Sequence, residues 1–394
     1  MRDPDVRRQG VRTDMSTQSP KLHAMKAGGA FVVVAACVGL VGFEAGTVKP
    51  GHEAMQEWLM PESPPIPANN ALTEERIELG KMLFFDARLS RDGNISCASC
   101  HSPLYGWSDG LPTGIGFRGE VLGRASPTVI NTAYNALQMW DGRKRSLEDQ
   151  AMGPMEATAE MNMDLDALYE FLSNNAEYAA AFERAYPGEA VSADTISRAI
   201  ASFERTVIST ESPFDAWIRG DASAMTAAQV RGFQVFLDPD KGNCAVCHSA
   251  PNFTDDGFHN IGLEQFGSEN PDLGRFEQVP LALMRGAFKT PTLRDITLTA
   301  PYFHDGTAAS LMEVVEHYER GGDVQTNLSP NMKALDLTQS EKEDLVAFLE
   351  ALTSDHSNFQ LPRLPAGVLL VEATAEDAEA ELAEPSAVAA MLGH

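Results

Sequence analysis

Cys97-Ala98-Ser99-Cys100-His101 and Cys244-Ala245-Val246-Cys247-His248 decide how this chain reads. Cys-X-X-Cys-His is the attachment signature of c-type haem. Two thiols form thioether bonds to one porphyrin, and the adjacent histidine is placed to ligate its iron. A single Cys-X-X-Cys would also suit a zinc half-site or a redox dithiol. Two copies, each followed directly by His and with no other cysteine pair to complete a zinc cage, point to two covalent haems c. The remaining cysteine, Cys37, lies in an apolar N-terminal segment and has no part in this pattern.

Around each motif the sequence repeats itself. Thr73-Glu74-Glu75 starts a helical pattern through Ile77, Leu79 and Leu83, with a polar cap and an acidic first turn. A second start lies at Thr226, with Gln229 in the capping-box position and Val230, Phe233 and Phe236 following. Gly80 precedes Asp86 by the same six residues that separate Gly232 from Asp238, and Trp107-Ser108-Asp109 is echoed by Phe253-Thr254-Asp255. One small haem module has been used twice. Ile196, Ile200, Phe203 and Val207 predict a helix that closes the first module, ended by Ser212-Pro213. Thr338-Gln339-Ser340-Glu341 caps a closing helix through Leu345, Phe348, Leu349 and Leu352. Almost no stretch alternates with period two. The expected fold is therefore mainly α, with two cytochrome c-like haem domains in tandem joined by long loops. The first spans residues 71–222 and the second 223–360.

Composition narrows the setting. Lys+Arg 30 against Asp+Glu 56 gives a net charge of −26, which argues against nucleic-acid binding and fits a basic protein partner. Residues 1–45 carry Arg2, Arg7, Arg8, Arg12, Lys21 and Lys26 ahead of the uncharged run Ala27 to Phe43, the pattern of a signal sequence or membrane anchor. Val34-Ala35-Ala36-Cys37 resembles a lipobox, so cleaved, anchored and lipidated forms all stay open. Each would export the protein, as covalent haem attachment requires. The prolines of residues 46–70 predict an extended linker, and residues 361–394 read as an acidic, alanine-rich tail.

What occupies the sixth position of each iron separates electron carriage from chemistry, because a second strong ligand excludes substrate. Between His101 and His248 there is no histidine, so the first haem cannot be bis-His within its own module. Met139, Met152, Met155, Met161 and Met163 could supply sulfur, or simply fill the core.

From Leu79 to Leu352 the chain resembles the bacterial di-haem cytochrome c peroxidase family and, within it, the MauG-like branch. The resemblance rests on Phe84-Phe85-Asp86, Ser126-Pro127-Thr128 with Asn131, Trp140-Asp141-Gly142-Arg143, Gln150-Ala151-Met152-Gly153-Pro154, Phe203-Glu204-Arg205-Thr206, Lys289-Thr290-Pro291-Thr292-Leu293-Arg294 and Ala300-Pro301-Tyr302-Phe303-His304. It implies that the haem on His101 is the peroxide site and that Gln150, Pro154 and Glu160 form its distal pocket. A pocket carboxylate such as Glu160 can relay the peroxide proton, and an amide such as Gln150 can hold the oxygen by hydrogen bonds.

Reductively activated members of the family hold a removable His after an Ile-Gly pair. Here Ile115-Gly116 is followed by Phe117-Arg118, which implies a site open without activation. Fourteen residues after His304, where those members have a ligating Met, this chain has Tyr318, and MauG-like proteins place a ligating tyrosine there. Leu311, Val314, Val315 and Tyr318 share one helical face, so a packed core tyrosine is the alternative. Trp140 matches the aromatic between the two haems and also fits a buried core tryptophan. The family's calcium site implies the carbonyls of Thr299 and Pro301, but its Asn position is Ala125. Gly242 stands where MauG carries a hopping tryptophan, so the route to a protein partner must differ.

The sequence thus predicts an exported di-haem peroxidase that reduces hydrogen peroxide at the His101 haem, with a His248/Tyr318 haem storing or relaying oxidising equivalents. Its electron donor or protein substrate, and its oligomeric state, are not encoded in these motifs. Rival readings are a peroxidase fed by a small cytochrome c or cupredoxin, and a non-catalytic electron-transfer cytochrome whose first iron is capped by Met152 or Met155.

Overall fold

The helix starts are set by short side chains that satisfy the orphan amides of a first turn. In the computed structural model, which describes residues 48–367, Thr73 Oγ1 accepts the Arg76 amide at the head of α1 (Glu74–Phe85). Thr226 and Gln229 form a reciprocal capping box on α9 (Ala227–Leu237), and Thr338 and Glu341 do the same on α11 (Gln339–Glu350). Between them, the first half contributes α2 (Cys97–Cys100), α3 (Leu147–Ala151), α4 (Gly153–Glu156), α5 (Leu165–Asn174), α6 (Ala176–Ala185) and α7 (Ala193–Glu204). The second adds α8 (Pro213–Ile218) and α10 (Leu311–Arg320). The named strands are one short antiparallel pair, β1 (Phe258–His259) and β2 (Phe288–Lys289). The fold is mainly α, as the sequence predicts.

The two glycines of the repeat have a packing reason. A Cβ on Gly80 of α1 would collide with the Ala199 carbonyl of α7 and stand 3.0 Å from Phe203 Cβ. A Cβ on Gly232 of α9 would collide with the Asp344 carbonyl of α11 and stand 2.8 Å from Phe348 Cβ. Each haem motif thus follows a helix that crosses its closing helix at backbone contact. Two hydrophobic clusters form on these crossings. One holds Leu79, Leu83, Phe84, Ile196, Ile200 and Phe203; the other holds Phe233, Phe236, Leu345, Phe348, Leu349 and Leu352.

Two segments depart from the sequence reading. Within the stretch expected to be an extended linker, Glu53–Trp58 forms a 3-10 helix whose Met55 and Trp58 are buried in the second cluster. Trp58 lies 4.8 Å from Phe253 and 5.5 Å from Phe233 between ring centroids, so aromatic burial outweighs the proline-rich composition. Ser212-Pro213 starts a helix rather than merely ending one. Pro213 sits in the first turn, where a missing amide is harmless, and Ser212 caps Asp215. Phe214, Trp217 and Ile218 of that helix then enter the second cluster. Residues 361–367 run back to the first half, where Arg88 and Asn175 donate to Pro365, Ala366 and Gly367 carbonyls. The basic and apolar N-terminal segment and the acidic tail from residue 368 lie outside the described residues; among those described, no helix is long and apolar enough to cross a membrane.

Gly232→Ala should lower the thermal midpoint of the holoprotein, with an overpacking cost of roughly 1–3 kcal/mol. An unchanged midpoint by circular dichroism would contradict the backbone crossing.

Candidate functional site

Each Cys-X-X-Cys closes one tight turn that brings the following histidine round: His101 N donates to Cys97 O and His248 N to Cys244 O, both at 2.9 Å. Each histidine is then oriented by a matching residue. Trp107 and Phe253 have left-handed backbones, φ +61° and +53°, and this turns their carbonyls onto the rings. His101 Nδ1 lies 3.3 Å from Trp107 O, and His248 Nδ1 lies 2.9 Å from Phe253 O. A carbonyl only accepts, so Nδ1 carries the proton and Nε2 keeps its lone pair. Burial holds both imidazoles below their ordinary proton affinity and so favours the neutral ligand form. The clamps behind the rings also repeat. Ser108 Oγ donates to Ser126 O at 2.8 Å and Thr128 Oγ1 to Gly106 O at 2.6 Å. In the second half Thr254 Oγ1 donates to Thr290 O and Thr292 Oγ1 to Asn252 O, both at 2.7 Å.

A cavity opens beside His248, lined also by Cys244, Cys247, Trp140, His304 and Tyr318. Neither His248 Nε2 nor the Tyr318 hydroxyl has a hydrogen-bond partner among the described residues. Three unpaired ligating atoms, the buried His304 Nε2 among them and one beside two cysteines, line one largely apolar cavity. That donor set fits an iron porphyrin held by thioethers. Burial pushes the Tyr318 hydroxyl above its ordinary pKa, which an iron bond would have to offset. The neighbouring His317, which the sequence reading did not weigh, is engaged at both nitrogens, Nδ1 to Asp323 at 3.0 Å and Nε2 to the Ile261 carbonyl at 2.9 Å. Met332 lines the same cavity.

The repeat extends to the distal side. Met139-Trp140-Asp141-Gly142 and Phe303-His304-Asp305-Gly306 share left-handed first and last residues, φ +72° and +65° against +70° and +64°. Each is bracketed by an isolated bridge, Gln138 with Lys144 and Tyr302 with Ala308. Ser146 then caps α3 and Ser310 caps α10. The register places Pro154, fourteen residues after Trp140, where Tyr318 stands fourteen residues after His304. The helix is unbroken through Tyr318, whereas its counterpart is split into α3 and α4 at Met152. Proline has no ligating atom, so the first half lacks a ligand at the position where the second half offers one.

Gln150 and Pro154 lie partly buried on α3 and α4, and Glu160 lies in the turn beyond. That turn is pinned by the Ile115-Gly116-Phe117 loop. Phe117 N donates to Ala159 O at 3.0 Å, and Gly116 leaves no room for a Cβ against the same carbonyl. Burial raises the Glu160 carboxyl above its ordinary range, against the opposing charge of Arg143, and Glu160 acts electrostatically on both Cys97 and Cys100. Met155, Met161 and Met163 are packed in the first hydrophobic cluster. Trp140 joins the two halves. Its ring lines the cavity beside His248 and meets His304 edge-on at 6.3 Å, while Nε1 donates to Ala125 O at 2.8 Å, next to the segment that clamps the loop of His101.

The model for di-haem cytochrome c peroxidases matches residues 74–223. The methylamine utilization protein MauG of Methylorubrum extorquens is 44% identical over 342 residues, covering 86% of this chain and 95% of that protein. The chain belongs to the di-haem cytochrome c peroxidase family. A cytochrome c551 peroxidase of Nitrosomonas europaea is 37% identical over 312 residues, covering 78% of this chain and 89% of its own. A crystal structure of a MauG-like protein associated with microbial copper homeostasis superposes with a TM-score of 0.71 at 31% identity, over 76% of this chain and 95% of that one. The protein is therefore a di-haem peroxidase, and haem c is the cofactor its family carries.

One residue of this peroxidase was quoted in the sequence only as a landmark. Glu204, at the end of α7, is buried with Oε2 unpartnered, and burial pushes its carboxyl up to about 8 against the opposing charge of Arg205. It acts electrostatically on Cys97. No local pattern signals it, because the burial comes from helices distant in sequence. Its folded pKa exceeds the unfolded one, so the native state keeps a proton that the unfolded chain releases, and stability declines as pH rises from the ordinary carboxylate range toward about 8. Glu204→Gln should therefore gain thermal midpoint over the parent progressively between about pH 5 and about pH 8. Parallel midpoints across that range would refute the buried proton.

Proposed function

We propose that this exported peroxidase reduces hydrogen peroxide at the His101 site, and that the His248/Tyr318 site stores and returns the oxidising equivalents through Trp140. The observation that carries this reading is the pair at equivalent register, Pro154 against Tyr318. It would leave one centre open to substrate and offer the other a phenol oxygen as ligand. When bound, haem supplies the iron that accepts peroxide and gives up electrons; the chain supplies the rest. His101 and His248 would hold the haem irons through Nε2, their rings fixed by the Trp107 and Phe253 carbonyls. Gln150 would hold the peroxide by hydrogen bonds from its amide. Glu160, kept protonatable by burial, moves the proton from the near to the far peroxide oxygen so that it leaves as water. Overall, hydrogen peroxide takes two electrons and two protons to give two waters. The electrons come from a redox partner or protein substrate, and the net charge of −26 favours a basic one.

Electron paramagnetic resonance of the resting diferric protein tests the asymmetry. One high-spin and one low-spin signal are expected; two low-spin signals would sink the open site. Tyr318→Phe should abolish a tyrosinate-type spectrum, and Tyr318→Met should raise the potential of that haem. If both leave the spectrum unchanged, Met332 or another group is the ligand. Glu160→Gln should slow the reaction with peroxide on the order of 10²-fold, the usual worth of a placed proton relay, and an unaltered rate constant in stopped flow would remove Glu160 from the mechanism.

A further inference from the structure

The resemblance implies a calcium ion held by Thr299 and Pro301 carbonyls and an Asn side chain, and the residues present do not fit it. Ala125 offers a methyl group in place of the amide, and its own carbonyl is taken by Trp140 Nε1 at 2.8 Å. Calcium needs six to eight oxygens, usually with carboxylates among them. Among the described residues, no cluster of acidic or other ligating side chains forms at Thr299 and Pro301; the one such cluster is Cys247, Asp255 and His259.

A cation is nevertheless present next door. Arg124 donates from Nε and Nη2 to both oxygens of Asp272, at 2.6 and 2.8 Å, and from Nη1 to Asp141 at 2.8 Å. Asp141 also accepts from Arg143 at 2.9 Å, and Arg275 donates to the Asp141 and Gly142 carbonyls, both at 2.9 Å. The Arg124 guanidinium lies 5.4 Å over Phe288, whose ring stacks on His304 at 3.4 Å. Asp272 is 148 residues from Arg124, so the guanidinium ties the second half to the Ala125 and Trp140 segments at once. Burial opposes ionisation of Asp141 and Asp272, but the bonds and charge of Arg124, joined at Asp141 by the charge and backbone amide of Arg143, outweigh it and hold both carboxyls below their ordinary range.

We infer that Arg124, bridging Asp141 and Asp272, takes the place of the divalent cation and positions the Trp140 segment between the two haem sites, so that this peroxidase is independent of calcium. The inference concerns the resting protein and stands whether or not the peroxide reading of the first site does.

The test compares the diferric holoprotein before and after exhaustive chelation, and with calcium chloride added back, by metal analysis, paramagnetic resonance and thermal midpoint. No bound calcium and superimposable haem signals are expected. Arg124→Gln should shift the resonance of the haems and lower the midpoint, added calcium should not restore either, and Arg124→Lys should recover only part, since one ammonium cannot fork onto two carboxylates. Should Arg124→Gln fail to accumulate, Asp272→Asn breaks the same bridge from its more exposed end and should shift the same signals. Stoichiometric calcium in the parent, a chelator-induced change in its haem signals, or bridge variants spectroscopically identical to the parent would overturn the assignment.

Discussion

The hydrogen bond from each proximal imidazole to a left-handed aromatic residue is the constraint on which the rest of this structure depends. Cys-X-X-Cys brings the histidine round, but only the carbonyl of Trp107 or Phe253 decides which nitrogen is free and where it points. Those carbonyls are aimed by positive φ angles. The angles are held by the Ser108 and Thr254 hydroxyls against the Ser126 and Thr290 carbonyls. Behind the clamps stand the glycine crossings of α1 on α7 and α9 on α11, which bring the closing helices under both aromatic residues: Phe203 lies 5.8 Å from Trp107, and Phe348 lies 6.1 Å from Phe253.

On this duplicated frame the chemistry is made unequal by few changes. The equivalent register carries proline in one half and tyrosine in the other, and the helix bearing it is split in the first half and continuous in the second. The first half adds two carboxyls raised by burial, Glu160 and Glu204, which both act on Cys97. A duplicated scaffold with divergent sequences at the equivalent register is the basis on which an open and a closed centre are proposed within a single packing scheme.

What was legible in the sequence was local. The haem motifs, the caps at Thr73, Thr226 and Thr338, the repeat glycines and the echo of Trp107-Ser108-Asp109 by Phe253-Thr254-Asp255 all act over a few residues, and each reappears with a physical role. What was missed depends on partners far apart in the chain. Trp58 is buried by rings that begin at Phe214, Glu204 by helices other than its own, and Arg124 meets a carboxylate 148 residues away. The position of Tyr318 came from resemblance. Its counterpart Pro154 became intelligible only when the two bridged loops could be overlaid by their φ angles.

The central claim is that the first centre is open and the two centres share what peroxide delivers. Rapid mixing of the diferric holoprotein with one equivalent of hydrogen peroxide, freezing samples in time and following both ferric signals, tests it most directly. The account requires both signals to disappear together, without any prior reduction. A protein that stays inert until one haem is reduced, or in which one ferric signal persists while the other is lost, would contradict it.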